Sequence, residues 1–258
     1  MCIDYTIKVS FDWVLDLVFP KFCLGCSRLG DYICSQCEQK IDFYDPQTCP
    51  YCELPSPYGL VHPRCQKSQG IDGMFVLAHY QGLIKQIIHQ VKYDGQFTLL
   101  EDVTRLMAAK YHGKYAFDYF VPIPLFKKRE QERGFNQAEK LASQLSVMLA
   151  CPASLNIRDS GVTRLGWVPQ NDSIKVVDLL TRVRQTRPQF DLKYNDRKLN
   201  VRDAFSLSPL LLSNSLTNYS FCLIDDVATT GATIFECAKI LKRKGADFVW
   251  AMTICRGG

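Results

Sequence analysis

Tyr219-Ser220-Phe221-Cys222-Leu223-Ile224-Asp225-Asp226-Val227-Ala228-Thr229-Thr230-Gly231-Ala232-Thr233 decides the fold of this 258-residue chain. Phe221 to Ile224 is apolar and short, as a buried strand is. Two adjacent carboxylates follow, then a hydroxyl-rich turn around one glycine. From Thr233 onward Ile234, Ala238, Ile240 and Leu241 recur at helical spacing, and Lys242, Arg243 and Lys244 precede a stop at Gly245. The spacing predicts a strand, a loop and a helix, with the loop at the carboxyl end of the strand. Open α/β sheets bind their ligands there.

The chemistry of the loop follows from its residue types. Backbone N–H groups at a helix start point outward and the helix dipole adds positive charge, so Ala228, Thr229, Thr230, Gly231, Ala232 and Thr233 can wrap a phosphate. Gly231 permits close backbone approach, and the threonine hydroxyls add donors. Asp225 and Asp226 have the wrong sign for phosphate and suit a diol or a hydrated Mg²⁺. Phosphate at one end and hydroxyls at the other describe a ribose 5-phosphate. A capped helix behind a surface turn is the plainer alternative. The segment resembles the phosphoribosyl-pyrophosphate (PRPP) motif of type I phosphoribosyltransferases. That resemblance implies an acid pair gripping the ribose hydroxyls and a T-T-G-x-T loop gripping the 5-phosphate.

The totals set bounds. The chain is 47% hydrophobic and 22% charged, which reads as a soluble globular protein. No apolar run reaches the ~18 residues of a membrane span, so no membrane insertion is expected. The amino terminus lacks the pattern of a signal peptide. Twelve cysteines without a secretory signal point to metal rather than disulfides, and to a reducing cytoplasm. The net charge is +5, and Thr181–Arg202 alone carries that excess: Arg182, Arg184, Arg187, Lys193, Arg197, Lys198 and Arg202 against Asp191 and Asp196. Such a cluster suits a polyphosphate, a nucleic acid or a solvated face.

Residues 10–20 have the pattern of a short amphipathic helix. Four paired knuckles follow: Cys23 and Cys26, Cys34 and Cys37, Cys49 and Cys52, then His62 and Cys65. Two ligands spaced this way reach one tetrahedral Zn²⁺, and eight fill two closed structural sites. Metal binding then supplies folding energy that so short a module cannot draw from a core. Sequential pairing is the first choice, and a cross-brace joining the first knuckle with the third stays open. His62 is a ligand or an exposed histidine in a Pro-rich turn. Lys21–Lys67 holds five basic and five acidic residues, and thiolates with zinc make it negative, so a nucleic-acid role for this module is not expected.

The middle of the chain alternates strands with helices: strand 74–80, a helix through Ile84–Val91, a helix 99–110, strand 119–125 and a helix through Leu141–Leu149. This predicts a parallel sheet with helices on both faces. Residues 151–179 read as a flexible loop or lid, and Ser206–Asn218 as a linker.

Lys92-Tyr93-Asp94-Gly95, Val121-Pro122-Ile123-Pro124-Leu125, Arg133-Gly134-Phe135-Asn136-Gln137-Ala138 and the stretch quoted first, with the four knuckles, resemble the ComF competence family. Arg182-x-Arg184-x-Thr186-x2-Gln189-x2-Leu192, then Arg197, Asn200, Ala204 and Phe205, complete the pattern. The resemblance implies an α/β chain with two parts. A double zinc-ribbon module spans 1–70, and a parallel-sheet type I phosphoribosyltransferase-like domain spans 71–258. It also implies a role in natural transformation, in handling single-stranded DNA or in linked nucleotide metabolism. His62 stands where the family keeps a cysteine. In the implied reaction Asp225 and Asp226 are the catalytic pair and Mg²⁺ accompanies PRPP. Pro122 and Ile123 belong to the turn that holds pyrophosphate, and Lys92, Arg129 and Arg133 neutralise it. Gln189, Arg197 and Asn200 lie where related enzymes keep a mobile cover. A Mg²⁺-dependent transferase and a non-catalytic DNA-handling factor both fit, competence proteins are candidate partners, and a homodimer is compatible with either.

Overall fold

The computed structural model describes residues 20–93, 95–111, 117–150, 174–186, 194–208 and 215–257. The strands are β1 (Gly73–His79), β2 (Tyr119–Pro122), β3 (Lys175–Val176), β4 (Leu180–Arg182), β5 (Phe205–Leu207), β6 (Ser220–Ala228) and β7 (Phe248–Arg256). The helices are α1 (Ser35–Glu38), α2 (Gly82–Tyr93), α3 (Thr98–Tyr111), α4 (Lys127–Arg133), α5 (Gln137–Ala150), α6 (Tyr194–Val201) and α7 (Ala232–Arg243). The helix expected over 10–20 falls outside the described residues apart from Pro20.

β6 is the middle of a five-stranded sheet, ordered β1-β7-β6-β2-β3, in which every pairing is parallel. Its start is fixed by Asp118, whose buried carboxylate accepts the Ser220 N–H at 2.8 Å and the Ser220 hydroxyl at 3.0 Å. Strand residues alternate between faces, and the core divides accordingly. Cys222 and Ile224 face α2, α3 and α5 with Phe75, Leu77, Phe120, Trp250 and Met252. Phe221 and Leu223 face α7 and the β4–β5 pair with Met74, Val76, Val121 and Val249. Both faces are covered, so the parallel strands read as apolar runs without polar alternation.

Three expectations need correction. The central strand does not end at Ile224: pairing with β7 continues from Asp225 opposite Thr253 to Ala228 opposite Arg256, so both acids lie within β6. The 151–179 connection is not loop to its end, because Lys175 and Val176 pair with Tyr119 and Phe120; residues 151–173 lie outside the described ones. The segment read as a linker from Ser206 begins inside β5, which pairs antiparallel with β4 as a two-stranded flap over the α7 face.

β1 is an edge strand, and the amino-terminal module covers it. Phe43 bridges Ala78 and Leu60 bridges Gly73. Between them the Gln47 amide stands in for a strand: its Nε2 donates to the Val76 carbonyl at 2.8 Å and its Oε1 accepts the Val76 N–H at 3.0 Å. The exposed ladder that invites intermolecular pairing is thereby occupied.

Candidate functional site

Because β6 runs through the acid pair, Asp225 and Asp226 leave the sheet on opposite faces. Asp226 meets α2, where its Oδ2 lies 2.8 Å from Lys92 Nζ. Burial alone lowers the Lys92 pKa, but Asp226's charge and hydrogen bond, with Asp225's charge, outweigh it and leave it raised. Asp225 turns to the α7 side. Its Oδ1 accepts the Asp226 N–H at 2.9 Å. Burial, and then the charge of Asp226, push its pKa up to about 7, against the pull of Lys92, that N–H and Arg182. One acid of the pair therefore has a fixed counter-charge and the other sits poised at neutrality. Lys92, expected to face pyrophosphate, is committed to Asp226.

The loop after β6 divides its threonines. Thr229 and Thr233 line the cleft beside the acid pair. Thr230 is buried, its Oγ1 accepts the Ala232 N–H at 3.4 Å, and with Ala232 it lines a separate pocket beside Tyr51, Phe235 and Glu236. Gly231 precedes α7 at φ +71°, and a Cβ there would stand 2.9 Å from the Phe235 ring. Only glycine meets both demands. Ala228 closes the strand, and its carbonyl accepts the Gly257 N–H at 3.0 Å.

Across the cleft, Ile123, Pro124 and Leu125 form a turn after β2, while Pro122 remains in the strand. Asn136 ties this turn to α5: its Nδ2 donates to the Ile123 carbonyl at 3.1 Å and its Oδ1 accepts the Ala138 N–H at 3.1 Å. Arg129 and Arg133 of α4 face in, and the Arg133 guanidinium lies 5.7 Å from the Tyr93 ring centre. The whole is a cleft of about 430 Å³ that also takes in Tyr80, His89, Gln137 and Arg182. Gln137 was visible as part of the R-G-F-N-Q-A stretch, and Arg182 as the first residue of the R-x-R-x-T pattern and one charge in a basic run.

Two arginines of that run have set places in the structure. Arg182 points into the cleft, and Arg184 Nη2 donates to the carbonyls of Asn200 (3.0 Å) and Arg202 (2.7 Å), tying the flap to the end of α6. Arg197 and Asn200 stand on α6; Gln189, Arg187 and Lys193 lie outside the described residues, and the Lys198 side chain is likewise not described.

The cysteines settle into two groups, each with ligand atoms within 4.8 Å of one another: Cys23, Cys26, Cys34 and Cys37, and Cys49, Cys52, His62 and Cys65. Pairing is sequential, not cross-braced. Both hairpins close locally, through the Phe22–Leu29 and Thr48–Pro55 bridges. In the first group the Cys34 N–H donates to Cys23 Sγ at 3.5 Å, and a Cβ on Gly25 would stand 2.7 Å from Cys37 Sγ. His62 turns inward. Its Nδ1 is 3.2 Å from Cys52 Sγ and its Nε2 3.2 Å from the Pro55 carbonyl, so one nitrogen is aimed at the cluster while the other is held. Both donor sets fit tetrahedral zinc. The second group packs on the elements that follow the site loop: Tyr51 stacks on Phe235 of α7 at 4.8 Å, and Glu53 pairs with Arg256 at the end of β7. Among the described residues no helix is long and apolar enough to cross a membrane.

Residues 14–66 match the family model described as a double zinc ribbon domain. DNA utilization protein YhgH of Escherichia coli is 31% identical over 252 residues, covering 93% of this chain and 99% of that protein. Competence protein F of Haemophilus influenzae is 28% identical over 232 residues, 87% of this chain and 90% of that protein. Competence protein ComFC of Bacillus subtilis is 27% identical over 234 residues, 87% and 84%.

Proposed function

The chain belongs to the ComF competence family, and from that premise we propose that its cleft binds PRPP or a related phosphoribosyl nucleotide together with Mg²⁺, in the service of DNA uptake or use. The observation that supports this best is the acid pair at the carboxyl end of β6, followed by Thr229–Thr233 at the start of α7 and faced by Arg129 and Arg133. A phosphate needs N–H groups and hydroxyls, a diol needs carboxylates, and pyrophosphate needs guanidinium groups; the three lie around one cleft. The relatives' names, DNA utilization and competence, supply the biological setting. The chain divides near residue 70 into a zinc module and the ligand-binding domain.

Asp225 and Asp226 would hold the ribose diol and Mg²⁺, which when bound supplies charge neutralisation at the departing pyrophosphate. For both to do so, Asp225 gives up a proton it holds near neutral pH and Lys92 shares Asp226. Thr229 and Thr233 orient the 5-phosphate. The Ile123–Leu125 turn, held by Asn136, and the two α4 arginines position the pyrophosphate end, so that much of the rate comes from placement and charge. Zinc is structural: Cys23, Cys26, Cys34 and Cys37 hold one ion, and Cys49, Cys52, His62 and Cys65 the second.

Calorimetric titration of PRPP with and without Mg²⁺ tests this reading. Saturable binding, tighter with Mg²⁺, is expected. No PRPP binding, alongside binding of a single-stranded oligonucleotide, would leave a DNA-handling factor that keeps the fold alone.

A further inference from the structure

Cys52 of the second cluster is flanked by Tyr51 and Glu53, and both side chains leave the zinc module for the elements that carry the loop after β6. Tyr51 stacks on Phe235 of α7, with ring centres 4.8 Å apart and planes 18° from parallel. Phe235 is the ring that a Cβ on Gly231 would meet at 2.9 Å, so the stack backs the left-handed residue where the loop turns into α7. Tyr51 is itself held in place. Its hydroxyl accepts the Ile71 N–H at 3.0 Å, and Lys67 Nζ lies 4.4 Å from its ring centre. Gly70 leaves it room, since a Cβ there would stand 2.2 Å from the hydroxyl oxygen.

Glu53 makes a second arm. Its carboxylate accepts from Arg256 Nη2, and the Arg256 side chain is only 10% exposed. Arg256 stands opposite Ala228 in the β6–β7 ladder. The next residue, Gly257, donates its N–H to the Ala228 carbonyl at 3.0 Å and packs beside Thr229, whose Cγ2 would lie 3.7 Å from a Cβ there. Glu53 therefore fixes the strand end that fixes the first residues of the loop. Its backbone is left-handed, at φ +61°, where the knuckle turn needs only a glycine. The first knuckle has the short Ser27 at the same place, at φ +59°. A long acidic residue in strained backbone points to a task for its side chain.

We propose that Tyr51 and Glu53 are positioning residues for the 5-phosphate end of the cleft, through which the zinc module sets the phosphate loop. Tyr51 acts through Phe235 at the α7 side and Glu53 through Arg256 at the β6 side. This rests on the phosphoribosyl reading for the ligand and adds to it a dependence on the other part of the chain. A phosphate held by backbone N–H groups and hydroxyls needs them aimed together, and a loop that relaxes at either end loses that aim. Arg129 and Arg133 stand across the cleft on α4, so the effect is confined to one half of the ligand.

Ribose 5-phosphate and inorganic pyrophosphate with Mg²⁺, titrated separately into the full chain, are the probes, and zinc content checks the module. Tyr51→Ala should weaken ribose 5-phosphate ~10-fold, the scale of one lost charge-assisted bond, and leave pyrophosphate within about 2-fold. Tyr51→Phe keeps the ring and should stay within about 2-fold of the parent for both. Glu53→Gly relieves the left-handed backbone, so urea stability should hold or rise. Ribose 5-phosphate should nevertheless weaken ~3-fold in that variant, the scale of an exposed ion pair. A residue serving the knuckle alone would not separate stability from affinity in this way. Amide exchange at Thr229–Phe235, measured without ligand, should be faster in Tyr51→Ala and Glu53→Gly. Unchanged exchange in both variants overturns the proposal whatever they bind, as does parental ribose 5-phosphate affinity in both or an equal loss for both probes. If Tyr51→Ala loses a zinc ion, Glu53→Gly decides. A parent that binds no ribose 5-phosphate overturns the phosphoribosyl reading, and faster exchange in the variants then still upholds the positioning of the loop by the module.

Discussion

Replacing Asp225 with Asn should change how stability depends on pH, and the structure gives sign and size. The folded Asp225 pKa is raised from 3.8 to about 7 by burial and by Asp226. Between those values the folded chain keeps a proton that the unfolded chain has released, so the parent loses stability as pH rises through the window and then levels off above about 7. Each unit is worth about 1.4 kcal/mol, so the interval from pH 5.5 to 7 holds about 2 kcal/mol, and residual solvent at this half-buried group reduces it to ~1–2 kcal/mol. Asp225→Asn cannot titrate and should lack that fall. Urea denaturation of both proteins at several pH values, with zinc saturating, reads the difference directly. Because Mg²⁺ and the diol need the ionised carboxylate, ligand affinity in the parent should rise over the same range. Parallel stability curves for parent and variant would refute the argument, and with it the picture of one neutralised and one poised acid.

Four further outcomes follow from the structure. Gly231→Ala should cost ~1–3 kcal/mol, since the new methyl meets both φ +71° and the Phe235 ring, and urea unfolding measures it. Cys49→Ser should reduce the zinc content from two ions per chain to one and speed amide exchange at Thr229–Phe235 through the Tyr51–Phe235 stack. Cys34→Ser should also lose one ion but leave that exchange unchanged, because the first cluster packs on Leu83 and not on α7. Gln47→Ala removes both bonds to Val76, should cost ~1–3 kcal/mol, and should raise concentration-dependent association through the uncovered β1 edge, read by light scattering.

What could be read from the chain beforehand was local. Phe221–Ile224, the acid pair, the threonine loop and the α7 face share one short stretch, and each has its own period or residue signature. The cysteine spacings named their ligands for the same reason. What could not be read depends on partners distant in sequence. β6 outlasts its apolar run because β7 continues beside it as far as Arg256, and that continuation alone puts Asp225 and Asp226 on opposite faces. β3 and β5 have two and three residues, too few for a periodic signal, and exist because Tyr119 and Leu180 lie next to them. β7 is buried along nearly its whole length, so its apolar run has no alternation to mark it as strand. Lys92, Thr230 and Arg182 show the same limit in the site. Composition counts a lysine, a threonine and an arginine alike wherever they stand, and only packing sends the first to Asp226, the second to the Tyr51 side and the third into the cleft.

The most direct test of the central claim compares PRPP binding, in Mg²⁺, by the parent and by the Asp225→Asn, Asp226→Asn double variant. The substitutions keep size and leave both zinc clusters untouched, and zinc content serves as the folding control. The account predicts a loss of ~10-fold or more in affinity, the scale of one or two charge-assisted bonds. Binding of PRPP with the same constant by both proteins would contradict it, because a ligand indifferent to the acid pair does not occupy this cleft.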